Sequence, residues 1–382
     1  MTPSPSEADL ERVVSTVVAP GASAVDRTGQ FPRESIDALR GIGLLGLVSA
    51  ADLGGAGLGM PDAARVVERV SRACGSSAMV LLMHYAAASI IEAHGPDKVR
   101  REVAEGRHLS TLAFSEAGSR SHFWTPLGTA VGDAAGVRLS ARKSWVTSAG
   151  QADSYVWSSR PVAAPGPMTL WLMPANADGL TIDGPFDGLG LRGNDSRPVR
   201  AQDVTLPAEA MLGTDGTGLD TALNTALPWF LVLNAAFSIG LMEATLAETV
   251  GHLGATRLEH LGQTLAEQPL VRMEVGRMRL TIDSTRALLN DVLTGLAAGR
   301  PDATRLLLGV KAVAGEAALS VTDTAMRVGG GAAFRKDLGV ERRFRDARAA
   351  RVMAPTTEAL TDFVARLTLG MPLFDAAPTG GR

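Results

Sequence analysis

The stretch Leu112-Ala-Phe-Ser-Glu-Ala-Gly-Ser-Arg-Ser121 is followed by a second of the same kind, Lys143-Ser-Trp-Val-Thr-Ser-Ala-Gly150. Each is a short apolar run that ends in hydroxyl residues and glycine, so we interpret them as two edges of one small β-domain. Small hydroxyl residues beside glycine let a backbone approach a flat or phosphorylated ligand closely, and their N–H and O–H groups can bind its polar edge. The two stretches therefore predict a ligand site on the middle of the chain.

Helical patterns surround this β region on both sides. Residues 1–110 read as helices, including an apolar one from Ser76 to about His94 whose all-round hydrophobicity predicts a buried position. Residues 111–218 contain short β-branched or aromatic runs separated by turn residues, which predict a small barrel or sandwich. Long helical patterns return over 219–382. The chain is thus predicted to have three domains with these bounds and an α+β fold.

Composition excludes several classes of function. The chain has 382 residues, 46% of them hydrophobic, a net charge of −3 and no basic run, so nothing indicates a nucleic-acid or anionic-membrane partner. Cys74 is the single cysteine, which excludes an internal disulfide and a cysteine-based metal cluster. The polar N-terminus lacks the features of a signal peptide. The apolar stretch around residues 231–239 is shorter than the ~20 residues of a membrane span, so we expect a cytoplasmic protein.

Six landmarks together resemble the acyl-CoA dehydrogenase family in kind and in order. They are Phe31-Pro with the glycine-rich loop 54–59, Ser115-Glu-Ala-Gly-Ser-Arg-Ser121, Lys143-Ser-Trp-Val-Thr-Ser148, Gly190-Leu-Arg-Gly-Asn-Asp-Ser196, Val328-Gly-Gly-Gly331 and Arg345-Asp-Ala-Arg348. The resemblance covers essentially the whole chain. It implies an N-terminal helical domain, a middle β-barrel domain, a C-terminal four-helix bundle, bound FAD, and assembly as a homodimer or homotetramer.

The resemblance also implies which residues contact FAD. In the first stretch, Phe114, Ser115 and Ser121 would face the flavin ring. In the second, Trp145 and Thr147 would cover the ring, and the Thr147 hydroxyl could form a hydrogen bond near flavin N5. Arg327, Gly330 and Gly331 would lie along the pyrophosphate and adenosine of the neighbouring subunit's cofactor, and Thr356 and Glu358 near the other end. Glu116 is expected to hold its turn through backbone hydrogen bonds, and Arg345, Asp346 and Arg348 to form a structural ion-pair network at a subunit interface.

The residue that usually removes the substrate's α-proton in this family is missing. The family places a glutamate at one of two positions, and these are Ala354 and Phe230 here. Pro228 and Leu231 occupy the positions of the usual CoA contacts. Either the substrate is not a conventional acyl-CoA, or the reaction does not begin with α-proton abstraction.

Other candidate residues rest on weaker signals. His122 is a weak candidate for proton transfer because it follows the first stretch, and His84 is a second titratable group, although a surface or hydrogen-bonded structural role is favoured for both. Asp195, Asp220 and Glu358 are weak alternative bases. Trp229 and Phe230 are expected either to line a substrate pocket or to fill the bundle core. No metal site is expected.

Three functions follow from these expectations. The first is α,β-desaturation of an atypical acyl thioester, bound to CoA or a carrier protein, with hydride transfer to flavin N5 and an electron-acceptor flavoprotein or oxygen as partner. The second is a flavin-dependent monooxygenase on the same fold that hydroxylates a small molecule. The third is a catalytically silent FAD-binding paralogue.

Overall fold

The computed structural model describes residues 6–119, 122–133 and 136–374. Its first part is helical, as the periodicity predicts. The helices are α1 (Glu7–Val13), α2 (Ala19–Thr28), α3 (Arg33–Gly41), α4 (Met60–Ala73), α5 (Gly75–His94) and α6 (Asp97–Ala104). Proline near the first position and Asp62 in the first turn favour the start of α4, and Val66, Val67 and Val70 form its buried stripe. By contrast, α5 is buried on nearly all sides.

The described part of the middle region contains seven strands in two sheets. They are β1 (Ser110–Ala113), β2 (Thr129–Asp133), β3 (Gly136–Val146), β4 (Ser154–Ser159), β5 (Thr169–Pro174), β6 (Leu180–Ile182) and β7 (Arg197–Leu206). One sheet has the order β1-β4-β5, with β1 parallel to β4, and the other the antiparallel order β2-β3-β7-β6. The described strands form no closed barrel, so the expected middle β-barrel is wrong in that respect. β4 is buried on both faces and β1 pairs with it in parallel, which a meandering barrel would not require.

The last part is a helical bundle. It comprises α7 (Gly218–Thr221), α8 (Leu227–Ala255), α9 (Pro269–Ala297), α10 (Ala303–Ala333), α11 (Val340–Val352) and α12 (Thr357–Thr368), with the short strands β8 (Arg257–Leu258) and β9 (Gln263–Thr264) between α8 and α9. α10 packs against α8, α9, α11 and α12. Gly330 interrupts α10 with a φ of 55°, a conformation that side chains with a Cβ rarely adopt.

The two helical parts share one apolar core. α8 packs along α4 and also against α5, and their buried side chains belong to a single cluster, whereas the sheets have a second cluster of their own. By length and composition alone, α5 and the segment Gly218–Ala255 could each cross a membrane, which differs from the sequence expectation. However, 83% of the most apolar 18-residue part of each is buried inside the protein. These helices are therefore core helices of the fold.

Candidate functional site

A buried ion pair joins the two stretches. Glu116 and Lys143 form an isolated antiparallel bridge, and Lys143 Nζ lies 2.7 Å from Glu116 Oε1. The two side chains are only 3% and 0% exposed. Lys143 also donates to the carbonyl and the hydroxyl of Ser158, at 2.7 and 2.8 Å. Burial lowers the pKa of Lys143 to about 8, against the opposing effect of the Glu116 carboxylate.

Backbone bonds complete this junction. The Glu116 carboxylate accepts from the backbone N–H groups of Leu127 and Gly128, which confirms its expected role in holding the turn. The Ser144 N–H donates to the Ser115 carbonyl at 2.9 Å. The structure therefore places the two stretches side by side. The sequence indicated their similarity but gave no sign that Lys143 is the partner of Glu116.

The ring-contacting candidates lie around this junction. Trp145 is 72% exposed although it is a large aromatic residue, and its φ is 57°. Thr147 is buried, and its hydroxyl lies 3.2 Å from that of Ser196. Because a hydroxyl has one donor and two acceptor sites, this contact leaves capacity for a ligand. Phe114 and Ser115 are half-buried, and the Phe114 ring stacks on Phe123 with centroids 6.2 Å apart.

Backbone strain is concentrated in the same region. Of the five described non-glycine residues with positive φ, four are Trp145, Ser148, Leu191 and Asp195. The Ser148 N–H donates to the Asn194 carbonyl at 2.8 Å, so the second stretch is fixed against the landmark 190–196. Such conformations persist only where their surroundings hold them, and they cluster at functional sites. The concentration of these conformations at the second stretch and at residues 190–196 is what a ligand site would show, and the site itself stays a prediction.

The remaining candidates near the first stretch gain little support as proton carriers. Ser121 lies outside the described residues. His122 is exposed, its Nδ1 is 3.2 Å from the Ser119 carbonyl oxygen, and its ring lies edge-on to Trp124. His84 is fully buried, and its Nδ1 accepts from the Ser110 N–H while Nε2 donates to the Leu45 carbonyl. Burial lowers the pKa of His84 to about 4, so it is a neutral structural residue.

The candidates assigned to a neighbouring subunit's cofactor lie on α10. Arg327 is exposed, and its guanidinium is 3.3 Å from Glu274 on α9. It lines a cavity of 430 Å³ between α9 and α10. Gly330 and Gly331 are exposed at the kink just beyond it. In a single chain these residues belong to an element distinct from the two stretches, and their expected role across a subunit interface stays a prediction.

Two further candidates lie at the start of α12. Thr356 is the N-cap residue, and its hydroxyl accepts from the Ala359 N–H at 3.3 Å. Glu358 is exposed in the first turn and lies 3.5 Å from Arg351. The N-terminus of α12 is thus well defined. Among the described residues, the side chains of Thr356 and Glu358 contact Ala359 and Arg351, which lie outside the two stretches.

The expected base positions, Ala354 and Phe230, both lie close to Lys311, a residue that the sequence patterns did not indicate. Ala354 is half-buried, and Phe230 is 5% exposed. Lys311 of α10 is fully buried; its Nζ donates to the carbonyls of Met353 and Pro355, both at 2.7 Å, and lies 5.7 Å from the centre of the Phe230 ring. Burial lowers the pKa of Lys311 to about 7. A lysine in the apolar run 306–314 was the signal that could have identified it.

Apolar side chains also occupy the expected CoA-contact positions. Leu231 is fully buried, Pro228 is half-buried in the first turn of α8, and Trp229 is half-buried between them. None of them offers a charged partner for a phosphate or a pantetheine amide. Trp229 and Phe230 both pack against the main helical core, so at least part of their role is structural.

The charged segment on α11 is tied to the same chain. Arg345 pairs with Asp26 of α2 at 2.6 Å and with Glu341 at 2.8 Å. The buried Asp346 carboxylate accepts from the Leu191 N–H at 2.6 Å, and burial raises its pKa to about 6. Arg348 donates to the Thr322 hydroxyl. A structural role is therefore confirmed within one chain, while the expected position at a subunit interface stays a prediction.

Comparison with known proteins identifies the class. The chain matches the acyl-CoA dehydrogenase N-terminal domain over residues 7–106, the middle domain over 111–204 and the C-terminal domain over 216–369. It is 27% identical over 366 residues to the probable acyl-CoA dehydrogenase YngJ of Bacillus subtilis, with 92% of this chain and 94% of that relative covered.

Solved structures show the same fold. Butyryl-CoA dehydrogenase from Megasphaera elsdenii has a TM-score of 0.89 at 23% identity, covering 95% of this chain and 96% of that one. The prolyl acyl carrier protein oxidase AnaB has a TM-score of 0.86 at 19% identity, covering 94% and 98%. The class is that of FAD-dependent oxidoreductases acting on CH–CH groups. Within it, the chain belongs to the acyl-CoA dehydrogenase family.

Proposed function

We propose that this chain is a FAD-dependent enzyme that desaturates an atypical acyl thioester, presented on CoA or on a carrier protein. The observation that carries the proposal is the contrast between two sides of the site. The junction of the two stretches is held by a buried ion pair and presents Trp145 and Thr147. On the acyl side, the base positions are Ala354 and Phe230. Residues able to contact a cofactor are thus present, whereas the residues expected to act on a conventional acyl-CoA are absent.

The residues present fit a flavin. An exposed indole face beside a buried hydroxyl with spare hydrogen-bonding capacity suits an aromatic ring with a polar edge. We assign the ring to Phe114, Ser115, Trp145 and Thr147, with Ser121 as a further candidate from the sequence. FAD, when bound, would accept the hydride that leaves the β-carbon.

The more distant parts of the cofactor have separate candidates. Arg327, Gly330 and Gly331 would hold the phosphates and adenosine of a neighbouring subunit's FAD, since an exposed guanidinium and a glycine backbone both suit phosphate. Thr356 and Glu358 would lie near the other end. This assignment requires a homodimer or homotetramer, with an electron-acceptor flavoprotein or oxygen completing turnover in the cytoplasm.

The acyl side limits the substrate. Neither expected base position carries a carboxylate, and Lys311 turns its amino group toward the carbonyls of Met353 and Pro355. In this arrangement Lys311 fixes the backbone on both sides of Ala354, and its amino group is occupied by these two bonds. The substrate's α-proton would therefore leave to a base elsewhere in the site, to water, or to a group that the substrate itself carries, and a more acidic α-proton would lower the demand on that acceptor. The fold's similarity to a prolyl acyl carrier protein oxidase supports including carrier-bound thioesters.

Anaerobic reduction tests the proposal. The FAD-loaded protein is mixed with thioesters of CoA, pantetheine and an acyl carrier protein, both with plain alkyl chains and with polar acyl groups. We expect at least one polar thioester to remove the visible absorbance of oxidised flavin and to yield a product two hydrogens lighter by mass spectrometry. Failure of every thioester to reduce the flavin would contradict the proposal.

A monooxygenase is the second candidate, and the loss of both base positions favours it because hydroxylation needs no carboxylate there. Its test supplies chemically reduced FAD-loaded protein with isotope-labelled dioxygen and a panel of small aromatic and amine substrates. One labelled oxygen atom in a product would establish this function. If FAD binds tightly but neither test gives a product, the chain is a catalytically silent paralogue.

A further inference from the structure

Two polar side chains without protein partners stand out on α8, the most apolar long helix of the chain. Asn234 and Ser238 are both 0% exposed. Among the described residues, no protein atom makes a hydrogen bond with the Oδ1 or Nδ2 atom of Asn234 or with the hydroxyl of Ser238. Buried polar groups are almost always paired, so each such group needs an explanation.

Other hydroxyls on this helix behave differently. Thr245 and Thr249 are equally buried, and each donates to the carbonyl four residues earlier at 2.7 Å. This back-bonding is the usual way in which a hydroxyl is satisfied inside a helix. Ser238 could donate to the Asn234 carbonyl in the same way and does not. Its hydroxyl is therefore available to another partner, as is the amide one turn before it.

The spacing places this pair beside the altered wall of the site. Phe230, Asn234 and Ser238 follow one another at intervals of four residues, so they lie on one face of α8. Phe230 begins this stripe and contacts the Lys311 amino group, which holds the carbonyls on both sides of Ala354. The stripe thus extends from the vacated base positions into the interior of the bundle.

We propose that Asn234 and Ser238 form a polar subsite that binds a neutral hydrogen-bonding group, such as a ring nitrogen, ether oxygen or hydroxyl, in the acyl part of the substrate. The inference rests on the proposed function and specifies its substrate class. The amide offers both a donor and an acceptor, and the hydroxyl offers either. The stripe itself carries no acidic or basic side chain, and the Lys311 amino group beside Phe230 is already bonded to two carbonyls, so a partner with a full charge is not matched there. A plain alkyl chain would leave three polar atoms unpaired.

Two measurements on the FAD-loaded full-length protein test the subsite. The first is thermal unfolding of Asn234→Leu and Ser238→Ala without ligand, with Thr245→Val as the matched control on the same helix. Replacing an unpaired buried polar group by an apolar group of similar size stabilises a protein, whereas removing a paired one destabilises it. We expect the melting temperature to rise in Asn234→Leu and Ser238→Ala and to fall in Thr245→Val. A fall in Asn234→Leu would show that the amide already stabilises the ligand-free protein, and it would overturn the subsite.

The second measurement compares ligands that differ in one ring atom. The probes are N-acetylcysteamine thioesters and simple amides of cyclopentanecarboxylic acid, tetrahydrofuran-2-carboxylic acid and tetrahydrofuran-3-carboxylic acid, with Kd measured by calorimetry under anaerobic conditions. We expect the better of the two polar rings to bind about tenfold more tightly than cyclopentane, the ratio that 1.4 kcal/mol represents. In Asn234→Leu the cyclopentane probe should bind more tightly than the polar ring. In Ser238→Ala the preference for the polar ring should remain but be smaller than tenfold.

The outcomes separate the subsite from the proposed function. Discrimination among the amides but no binding of any thioester would support the subsite and contradict the thioester reaction. Equal or tighter binding of cyclopentane by the parent, no binding of any probe, or an unchanged ring preference in Asn234→Leu would each overturn the subsite. Flavin reduction by thioesters would then still be decided by its own test.

Discussion

Replacing Lys143 by methionine tests the junction on which the candidate site depends. Methionine has a similar length and no charge, so the change leaves the Glu116 carboxylate buried at 3% exposure without its cation. It also removes the two bonds to Ser158. Breaking a buried ion pair by removing one partner costs about 3–5 kcal/mol. Since domains are typically stable by about 5–15 kcal/mol, the variant should fold with a reduced margin.

Urea unfolding of the FAD-free protein, followed by circular dichroism and by tryptophan fluorescence, measures this loss. A Glu116→Gln variant and the double variant complete a thermodynamic cycle. We expect the double variant to be more stable than the sum of the single losses predicts, by about 0.5–3 kcal/mol, because the isolated carboxylate is removed as well. Lys98→Met on the exposed face of α6 is the control and should stay within about 0.5 kcal/mol of the parent.

The same variant should release the cofactor. The ion pair holds the backbone of Ser115 beside that of Ser144, so its loss lets the two stretches separate. We expect the Kd for FAD, measured by flavin fluorescence at a temperature where the variant is folded, to rise by at least about tenfold. A Lys143→Met protein that unfolds within about 1 kcal/mol of the parent, or a cycle with no coupling energy, would refute this account of the junction.

Three further predictions use the same protein. Thr147→Val should weaken FAD binding by about tenfold because one hydrogen bond is lost. The control is Thr205→Val, at an exposed position on β7, which should leave the affinity unchanged. Equal FAD affinities of the two variants in fluorescence titrations would exclude Thr147 from the cofactor site. If an acyl chain reaches the wall at Ala354, Ala354→Glu should raise the rate of flavin reduction by acyl-CoA at least about tenfold over both the parent and Ala354→Gln. An unchanged rate would show that no acyl chain reaches that wall. Asp346→Asn should change the pH dependence of stability. The pKa of Asp346 is raised to about 6, so the folded protein binds this proton more tightly than the unfolded chain does. The contribution of Asp346 to stability therefore falls as pH rises from about 4 to 6. Melting temperatures across that window should therefore decline less in the variant, and parallel curves would show that Asp346 does not titrate there.

Local patterns in the sequence were sufficient for the order of helical and β regions. The apolar run of α5 and the Val66, Val67 and Val70 stripe of α4 follow directly from helical periodicity. The closed barrel was wrong because strand partners are set by tertiary packing. Nothing local in Ser110–Ala113 shows that it runs parallel to Ser154–Ser159.

The candidate site was predictable only in part, for the same reason. Motifs indicated the two stretches as candidate ring contacts because their hydroxyls and glycines are close in sequence, and this assignment stays a prediction. The Glu116–Lys143 pair joins residues 27 positions apart, and Lys311 bonds to a segment 42 residues away. Neither partnership has a local signature. Asn234 and Ser238 are polar residues in an apolar run, which the sequence shows. Their lack of hydrogen-bond partners among the described residues depends on the packing around α8 and could not be predicted.

The shared core of the two helical parts has a consequence for how the chain is made. α5 is buried on nearly all sides, and α8, which helps to cover it, begins at Leu227, more than 130 residues after α5 ends at His94. A chain that grows from its N-terminus therefore presents an apolar helix that α4 and then β1 cover only in part, until much of the protein has left the ribosome. Such exposed surface invites association with other chains. During synthesis, the first hundred residues should depend on chaperones until α8 has emerged.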